Sequence, residues 1–142
     1  IEIGIQEISF ILTENSERNT IKMNRILKCA ISAMKQSLKA YCPKINDIIP
    51  IDNFMKSCDN NEKFIAHFCK EHNPELIDIA NKCTKYNVLI GPEGGFTDFE
   101  FKNALKYNYK PINLGNSRMR VETAGIVACN ILNMVNLIDE IN

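Results

Sequence analysis

Two short runs in the second half of this sequence contain residue types that suit a site for a small molecule. The first, residues 90–96 (IGPEGGF), places three glycines around a Pro–Glu pair. Because glycine has no Cβ, a ligand can approach the backbone of such a loop closely. The second, residues 114–124 (LGNSRMRVETA), brings two arginines and one glutamate close together. Arginine can stabilise a developing anion and a carboxylate can accept a proton, so this run suits anion or proton-transfer chemistry.

Each run stands between a strand pattern and a helix pattern. Residues 86–90 and 110–114 are β-like, and helical patterns follow them at residues 97–107 and 121–138. In an α/β sheet, ligands bind in the crevice outside the carboxyl ends of the strands. The two runs are therefore predicted to line a ligand crevice at the strand ends.

Several of these residues also have a purely structural interpretation. The glycine run has neither the Gly-Lys-Ser/Thr of a Walker loop nor the spacing of a dinucleotide fingerprint, so alone it can be a tight corner. Thr97 and Glu100 have the spacing of a capping box at a helix start. Glu122 lies near a helix N-terminus, where an acid stabilises the helix without doing chemistry. Glu93 can likewise hold the shape of its own loop.

The rest of the sequence predicts the elements that position these runs. Strand patterns occur at residues 5–12, 45–51, 63–69, 87–90 and 111–114, and helix patterns at residues 21–41, 54–57, 74–82, 97–107 and 121–138. Pro43 is expected to end the first helix, and Pro74 is expected to open the third. This alternation predicts an α/β fold with a mostly parallel sheet flanked by helices.

Composition limits the classes of function that remain. The 142 residues suit one domain, and 17 Lys and Arg balance 17 Asp and Glu. Because phosphate contacts dominate nucleic-acid affinity, a neutral domain can offer RNA only local basic patches. No apolar run is long enough to span a membrane. The six cysteines have no CxxC spacing and no Cys/His quartet, which argues against zinc and for reduced intracellular thiols. The two histidines, His67 and His72, are expected to be structural.

The two runs together resemble the signature of the RsmE family, methyltransferases of the SPOUT superfamily that modify uridine in small-subunit ribosomal RNA. The family pattern is approximately IGPEGGF[ST]xxE followed by LGxRILRxETA. The first half matches throughout, and the second keeps Leu114, Gly115, Arg120, Glu122, Thr123 and Ala124. Ser117 stands where the family usually has its first arginine, and Arg118 follows it. Weaker similarity covers most of the remaining chain, with Asn15 and Lys39 at positions where the family usually has arginine.

The resemblance implies a SPOUT fold with a C-terminal trefoil knot, and S-adenosylmethionine as a cofactor bound without a metal. By resemblance, the cofactor-binding residues are Phe68, Ile90, Gly91, Glu93, Gly94, Gly95, Leu114, Gly115, Met119 and Thr123. The implied reaction is methylation of a specific uridine at the ring nitrogen N3, which requires removal of a proton from a weakly acidic imide. Arg120 is the leading candidate for stabilising the anion, Glu122 for orienting Arg120 or accepting the proton, and Arg118 is a second candidate. Arg25 and Lys39 are candidate contacts to the RNA backbone.

The resemblance also bears on organisation and partners. Residues 1–142 are expected to be the methyltransferase domain without its first strand and helix, and without the N-terminal PUA-like barrel that precedes them in the family. A homodimer is expected, with Ile126, Asn130, Asn133 and Leu137 repeating at helical spacing on the last helix. The expected location is intracellular, in the cytoplasm or in an organelle with bacterial-type ribosomes.

Two other functions remain open at this point. The departures at Asn15, Lys39 and Ser117 favour a catalytically silent RNA-binding or dimerisation module of the same fold. A nucleotide-binding domain that uses the glycine loop for phosphate lacks the lysine and hydroxyl that hold phosphate and magnesium. Binding of S-adenosylmethionine separates the methyltransferase from both.

Overall fold

The described residues alternate between strands and helices, and every strand pair among them is parallel. The computed structural model describes residues 1–57, 62–67, 73–82 and 85–137. The elements in chain order are β1 (Glu7–Leu12), α1 (Met23–Gln36), β2 (Lys44–Pro50), α2 (Ile51–Ser57), β3 (Glu62–Ala66), α3 (Leu76–Ile79), β4 (Tyr86–Ile90), α4 (Asp98–Lys106), β5 (Lys110–Ile112) and α5 (Val121–Leu137). The predicted α/β class with parallel strands is confirmed. None of the helices in these described ranges is long and apolar enough to cross a membrane.

The strands form two sheets. β1 pairs with β2, while β4, β3 and β5 form a three-stranded sheet with β3 in the centre. Phe64 and Ile65, consecutive residues of β3, are both completely buried. Because successive side chains of a strand point to opposite faces, the two residues belong to different cores. Helices therefore cover both faces of the three-stranded sheet, as parallel sheets require.

Different helices pack against the two faces of the three-stranded sheet. Phe64 packs with Leu76, Ile112, Ala128 and Leu132, which brings α3 and α5 onto one face. On the other face, Ile65 packs with residues of α2, β4, α4 and the loops beside α4, namely Ile51, Met55, Leu89, Phe96, Ala104 and Tyr109.

The prediction that Pro43 ends the first helix is wrong. α1 stops at Gln36 because Leu38 adopts a positive φ of 53°, a conformation that a right-handed helix cannot continue. The amide of Lys39 then donates back to the carbonyl of Met34 at 3.0 Å, and the hydroxyl of Ser37 donates to the carbonyl of Ala33 at 2.7 Å. These bonds satisfy carbonyls that the end of the helix leaves unpaired.

The predicted helix at residues 74–82 is reduced to the single turn of α3. The carbonyl of Pro74 instead accepts from the amide of Asn113, and the amide of Leu76 donates to the carbonyl of Asn113. Glu75 and Asn113 thus form a parallel bridge that extends the pairing beyond β5. This non-local pairing with Asn113 overrides the local helix signal of Pro74.

The other boundaries differ from the predictions by small amounts. β2 runs through Pro50, and α2 begins at once at Ile51, one turn earlier than expected. β3 ends at Ala66, and the end of its predicted strand at residues 68–69 lies outside the described residues. The capping box at the start of α4 is confirmed, with Thr97 and Glu100 bonded in both directions.

Candidate functional site

Three strands end at the same edge of the three-stranded sheet. Ala66, the last residue of β3, is paired with Ile90 of β4 and with Ile112 of β5. The segments that begin at residues 67, 91 and 113 therefore leave the sheet side by side. This register brings the two runs singled out in the sequence to the same edge of the sheet, on either side of the segment that follows β3. Phe68, predicted to belong to the third wall, lies outside the described residues.

The glycine loop, residues 91–97, is closed by a turn and packs on the buried ring of Phe96. The amide of Gly95 donates to the carbonyl of Pro92 at 2.8 Å, and Gly95 has a φ of +72° that side chains rarely adopt. Phe96 is buried beneath the loop, and a Cβ on Gly91 would lie only 3.1 Å from its ring. A side chain at Gly91 would therefore crowd the ring of Phe96, whatever ligand the loop holds.

The backbone at Gly95 borders open space. A Cβ built on Gly95 would meet nothing within 4 Å, in contrast to Gly91 and Gly94. Glu93 and Gly94 are exposed, and Ile90 at the start of the loop is half-buried. The loop thus leaves free space beside the backbone of Gly95, where a flat ligand can approach.

Gly94 faces another part of the chain. A Cβ on Gly94 would lie 3.0 Å from the Cβ of Asn15. The Asn15 side-chain amide donates to the carbonyls of Gly94 and Gly95, at 3.2 and 3.0 Å. The sequence predicts a glycine here so that a ligand can approach the backbone. The contact with Asn15 is a second physical reason for a glycine at position 94. A contact between Gly94 and a ligand stays a prediction.

Glu100 is a buried carboxylate that joins three segments. Only 5% of the residue is exposed. One carboxylate oxygen accepts from the amide of Glu14 at 2.8 Å, and the other from the amide and hydroxyl of Thr97 at 2.9 and 3.3 Å. Glu100 therefore ties the start of α4 and the end of the glycine loop to the segment after β1. The sequence predicted its capping role but not its bond to Glu14.

The loop that contains most of the second run, residues 113–120, ends where α5 begins. Gly115 has a φ of +123°, and a Cβ there would lie 3.4 Å from the terminal methyl of Met119. Met119 and Leu114 are half-buried, whereas Arg118 and Arg120 are exposed. The carbonyl of Arg120 accepts from the amide of Ala124 at 2.9 Å, so the backbone of Arg120 starts α5 and its side chain lies at the solvent side.

Glu122 and Thr123 are exposed in the first turn of α5. Glu122 shares with Glu93 a groove of about 1680 Å³ that is also lined by Ile90 and Pro92. Glu93 and Glu122 thus both line this groove, which also extends to Gly4 and Asn136. Among the described residues, no group of three or more His, Cys, Asp or Glu side chains could hold a metal ion.

Arg25 and Lys39, the predicted RNA contacts, are not brought together. α1 has 14 residues, a length of about 21 Å, and the two cations lie at or beyond its opposite ends. Arg25 instead lines a concavity of about 680 Å³ with Lys22 and Lys28. All three of these cations are exposed.

His67 follows β3 directly and has a structural environment. Its ring stacks on that of Phe101, with ring centroids 4.3 Å apart. Burial lowers the pKa of His67 below its ordinary value, and the nearby Asp98 carboxylate acts in the opposite direction. The ring is therefore neutral near pH 7. His72 lies outside the described residues.

The groove beside the site runs between the two sheets. Its walls are β1 and β4, and part of its lining is contributed by α5 through Gly125, Ala128 and Leu132. In the described part of the chain, β1 is paired only with β2 and β4 only with β3. Each wall therefore presents an open strand edge to the groove.

The chain is similar in sequence to a family of known proteins. The model of a family described as "RNA methyltransferase domain" matches residues 1–133. A ribosomal RNA small subunit methyltransferase E from Rickettsia conorii is 33% identical over 129 residues, which cover 89% of this chain and 53% of that protein. The chain thus spans about half the length of this relative.

Two solved structures have the same architecture. A probable rRNA-methyltransferase from Porphyromonas gingivalis superposes with a TM-score of 0.91 and 39% identity, over 97% of this chain and 59% of the other. A ribosomal RNA small subunit methyltransferase E from Neisseria gonorrhoeae, solved bound to S-adenosyl methionine, superposes with a TM-score of 0.87 and 26% identity, over 95% and 57% of the two chains.

Proposed function

The chain belongs to the RNA methyltransferase domain family, and from that membership we propose that it is the catalytic domain of an S-adenosylmethionine-dependent methyltransferase acting on small-subunit ribosomal RNA. The main structural support for the proposal is the strand register at Ala66, because it places the starts of three loops side by side. The similarity to a structure solved with S-adenosyl methionine supports this choice of cofactor. The proposed substrate places the protein in the cytoplasm or in an organelle with bacterial-type ribosomes.

The two described loops fit the proposed cofactor. The open space at Gly95 suits a flat group laid against the backbone. We assign the cofactor contacts to Ile90, Gly91, Glu93, Gly94, Gly95, Leu114, Gly115, Met119 and Thr123, with Phe68 in the third loop. The trefoil knot of the SPOUT fold, formed around these loops, is part of the same proposal.

The finer part of the proposal is methylation at N3 of uridine. When bound, the cofactor supplies an electrophilic methyl group, and the imide proton must leave before N3 can attack it. Arg120 stabilises the resulting anion on the uracil oxygens, because its exposed guanidinium can donate to two acceptors at once. Glu122, in the adjacent turn of α5, orients Arg120 or accepts the proton. Arg118 is the second candidate for the anion.

RNA backbone contacts are proposed at the start of α1. Lys22, Arg25 and Lys28 are spaced by three residues, so they lie near one another on the helix surface, and they surround one concavity. A local patch of three cations suits a domain with a formal net charge of zero. Lys39, beyond the other end of α1, is proposed as a separate contact.

We also propose that the domain is completed by a strand and helix that precede residue 1 in a longer protein. A two-stranded sheet such as β1–β2 is marginally stable in water by itself, and open edges are normally paired or covered. The groove between β1 and β4 exposes such an edge on each side. A single added strand paired with both edges would join the two sheets into one. The resemblance to the RsmE family implies such a segment before residue 1.

A homodimer is proposed through one face of α5. Ile126, Met134 and Leu137 are exposed to 58%, 47% and 49%, and Asn130 lies between them on the same face. Asn133, predicted to belong to this face, instead donates to the carbonyl of Gly4 in its own chain at 2.8 Å. An apolar stripe on one helix suits a two-fold contact, in which the same patch serves both subunits.

Replacing Arg120 with Lys tests the catalytic assignment. The change keeps the charge but removes the planar fork that holds two acceptors. We expect nearly normal affinity for S-adenosylmethionine and a fall in the rate of methyl transfer to small-subunit RNA of about 100- to 1000-fold. Single-turnover kinetics on the full-length protein measure both quantities. Arg118→Lys is the matched control, expected to have the smaller effect. Methyl transfer by Arg120→Lys at the wild-type rate would make Arg120 structural.

Ile126→Glu tests the dimer. We expect the wild-type chain to sediment at micromolar concentration as a species twice the 16.2 kDa of the monomer, and the variant as a monomer, since the new carboxylate would be buried in the contact. Ile77→Glu, at a similarly exposed isoleucine on α3, should leave the dimer intact. A wild-type chain found only at 16.2 kDa would contradict the proposal.

Hydrogen exchange tests the proposed completion of the sheet. In the longer protein, amides of β1 and β4 that face the groove should exchange markedly more slowly than in the 142-residue chain, because they would be paired with the added strand. Amides of the central strand β3 are the internal control and should change little. If the amides of β1 and β4 exchange at the same rates in both proteins, the added strand does not lie in the groove.

A further inference from the structure

The segment after β1 holds the glycine loop from the side. Asn15 donates to two successive carbonyls of that loop, those of Gly94 and Gly95. The two residues lie 79 and 80 positions away from Asn15 in the sequence. One short side chain thus fixes the two peptide groups next to the open space at Gly95.

The segment that presents Asn15 is closed into a turn by hydrogen bonds of its own. The amide of Ser16 donates to the carbonyl of Thr13 at 3.1 Å, and the amide of Thr13 donates back to the hydroxyl of Ser16 at 3.0 Å. Their two hydroxyls lie 2.9 Å apart, and Thr13 is 7% exposed. These bonds close the turn at residues 13–16 independently of the glycine loop.

The neighbouring residue Glu14 also joins the turn to the segment that follows the glycine loop. The amide of Glu14 donates to the buried carboxylate of Glu100, which also caps α4 directly after the glycine loop. Bonds at both Asn15 and Glu14 fix position and orientation, whereas one bond alone would leave a hinge. The Gly94 backbone can approach Asn15 this closely only because Gly94 has no Cβ.

We infer that Asn15 is a positioning residue for the cofactor loop, holding the Gly94 and Gly95 peptides in the conformation that binds the ligand. The inference rests on the proposed function, in which this loop contacts S-adenosylmethionine. A glycine-rich loop has more conformational freedom to lose than any other, and ordering it before the ligand arrives improves affinity. An asparagine at position 15, where the family usually has arginine, is then compatible with an active enzyme, because its side-chain amide bonds directly to the loop.

The test is Asn15→Asp in the full-length protein. Aspartate has the same shape, but it replaces the donor with a carboxylate that faces two carbonyl oxygens. We expect the Kd for S-adenosylmethionine to rise about tenfold or more, the scale of a lost hydrogen bond with added repulsion. The rate of methyl transfer at saturating cofactor should change little. Asn15→Ala, which only removes the donor, should have an intermediate effect on the Kd.

Asn19→Asp is the matched control, since Asn19 is exposed, lies four positions further along the chain and undergoes the same change of charge. It should leave the Kd unchanged. A second measurement follows the Gly95 amide, which donates to Pro92 in the loop turn. Its hydrogen exchange should accelerate in Asn15→Asp without a comparable fall in the melting temperature.

Two results would overturn the inference. One is an unchanged Kd and unchanged Gly95 exchange in Asn15→Asp. The other is a loss of affinity matched by general unfolding, which would make Asn15 a stability residue. Failure of the wild-type protein to bind S-adenosylmethionine would instead refute the proposed function, and the exchange of Gly95 would still decide whether Asn15 orders the loop.

Discussion

The pairing of β3 with both of its neighbours determines where every candidate group at the sheet edge lies. Ala66 is in register with Ile90 and with Ile112, so a shift of one strand by one residue would move a whole loop along the crevice and turn its strand's side chains over. The cores on the two faces resist such a shift. Phe64 and Ile65 are completely buried, and truncation of residues of this kind costs about 2–5 kcal/mol. The crevice is therefore positioned by the interior of the protein rather than by the loops themselves.

Loop conformation depends on a second set of contacts, outside the three-stranded sheet. The turn at residues 13–16 follows β1, a strand of the other sheet, yet it bonds to the glycine loop through Asn15 and to α4 through Glu14. The glycine loop therefore couples the two sheets beside the groove, which Thr13, Ser16, Pro92 and Glu93 help to line. If an added strand fills that groove, it would fix the same relation between the sheets, and the cofactor loop would depend on it indirectly.

Local features of the site were predictable from the sequence. The glycine loop, the capping box of Thr97 and Glu100, and the start of α5 at Val121 all depend on neighbours within a few residues. The contacts of Asn15 were not predictable, because their partners are 79 and 80 positions away. Its place in a run resembling a family motif was the only signal. The end of α1 was missed because a positive φ at Leu38 is an unusual conformation for leucine, and α3 was overestimated because Asn113 pairs with the backbone around Glu75.

The central claim is that the three loops at this edge bind S-adenosylmethionine without a metal. The most direct measurement is a calorimetric titration of S-adenosylmethionine into the folded full-length protein in the presence of a chelator, with ATP titrated in parallel. The expected result is saturable binding of one S-adenosylmethionine per chain and no binding of ATP. Absence of S-adenosylmethionine binding by folded protein, or binding of ATP in its place, would contradict the account.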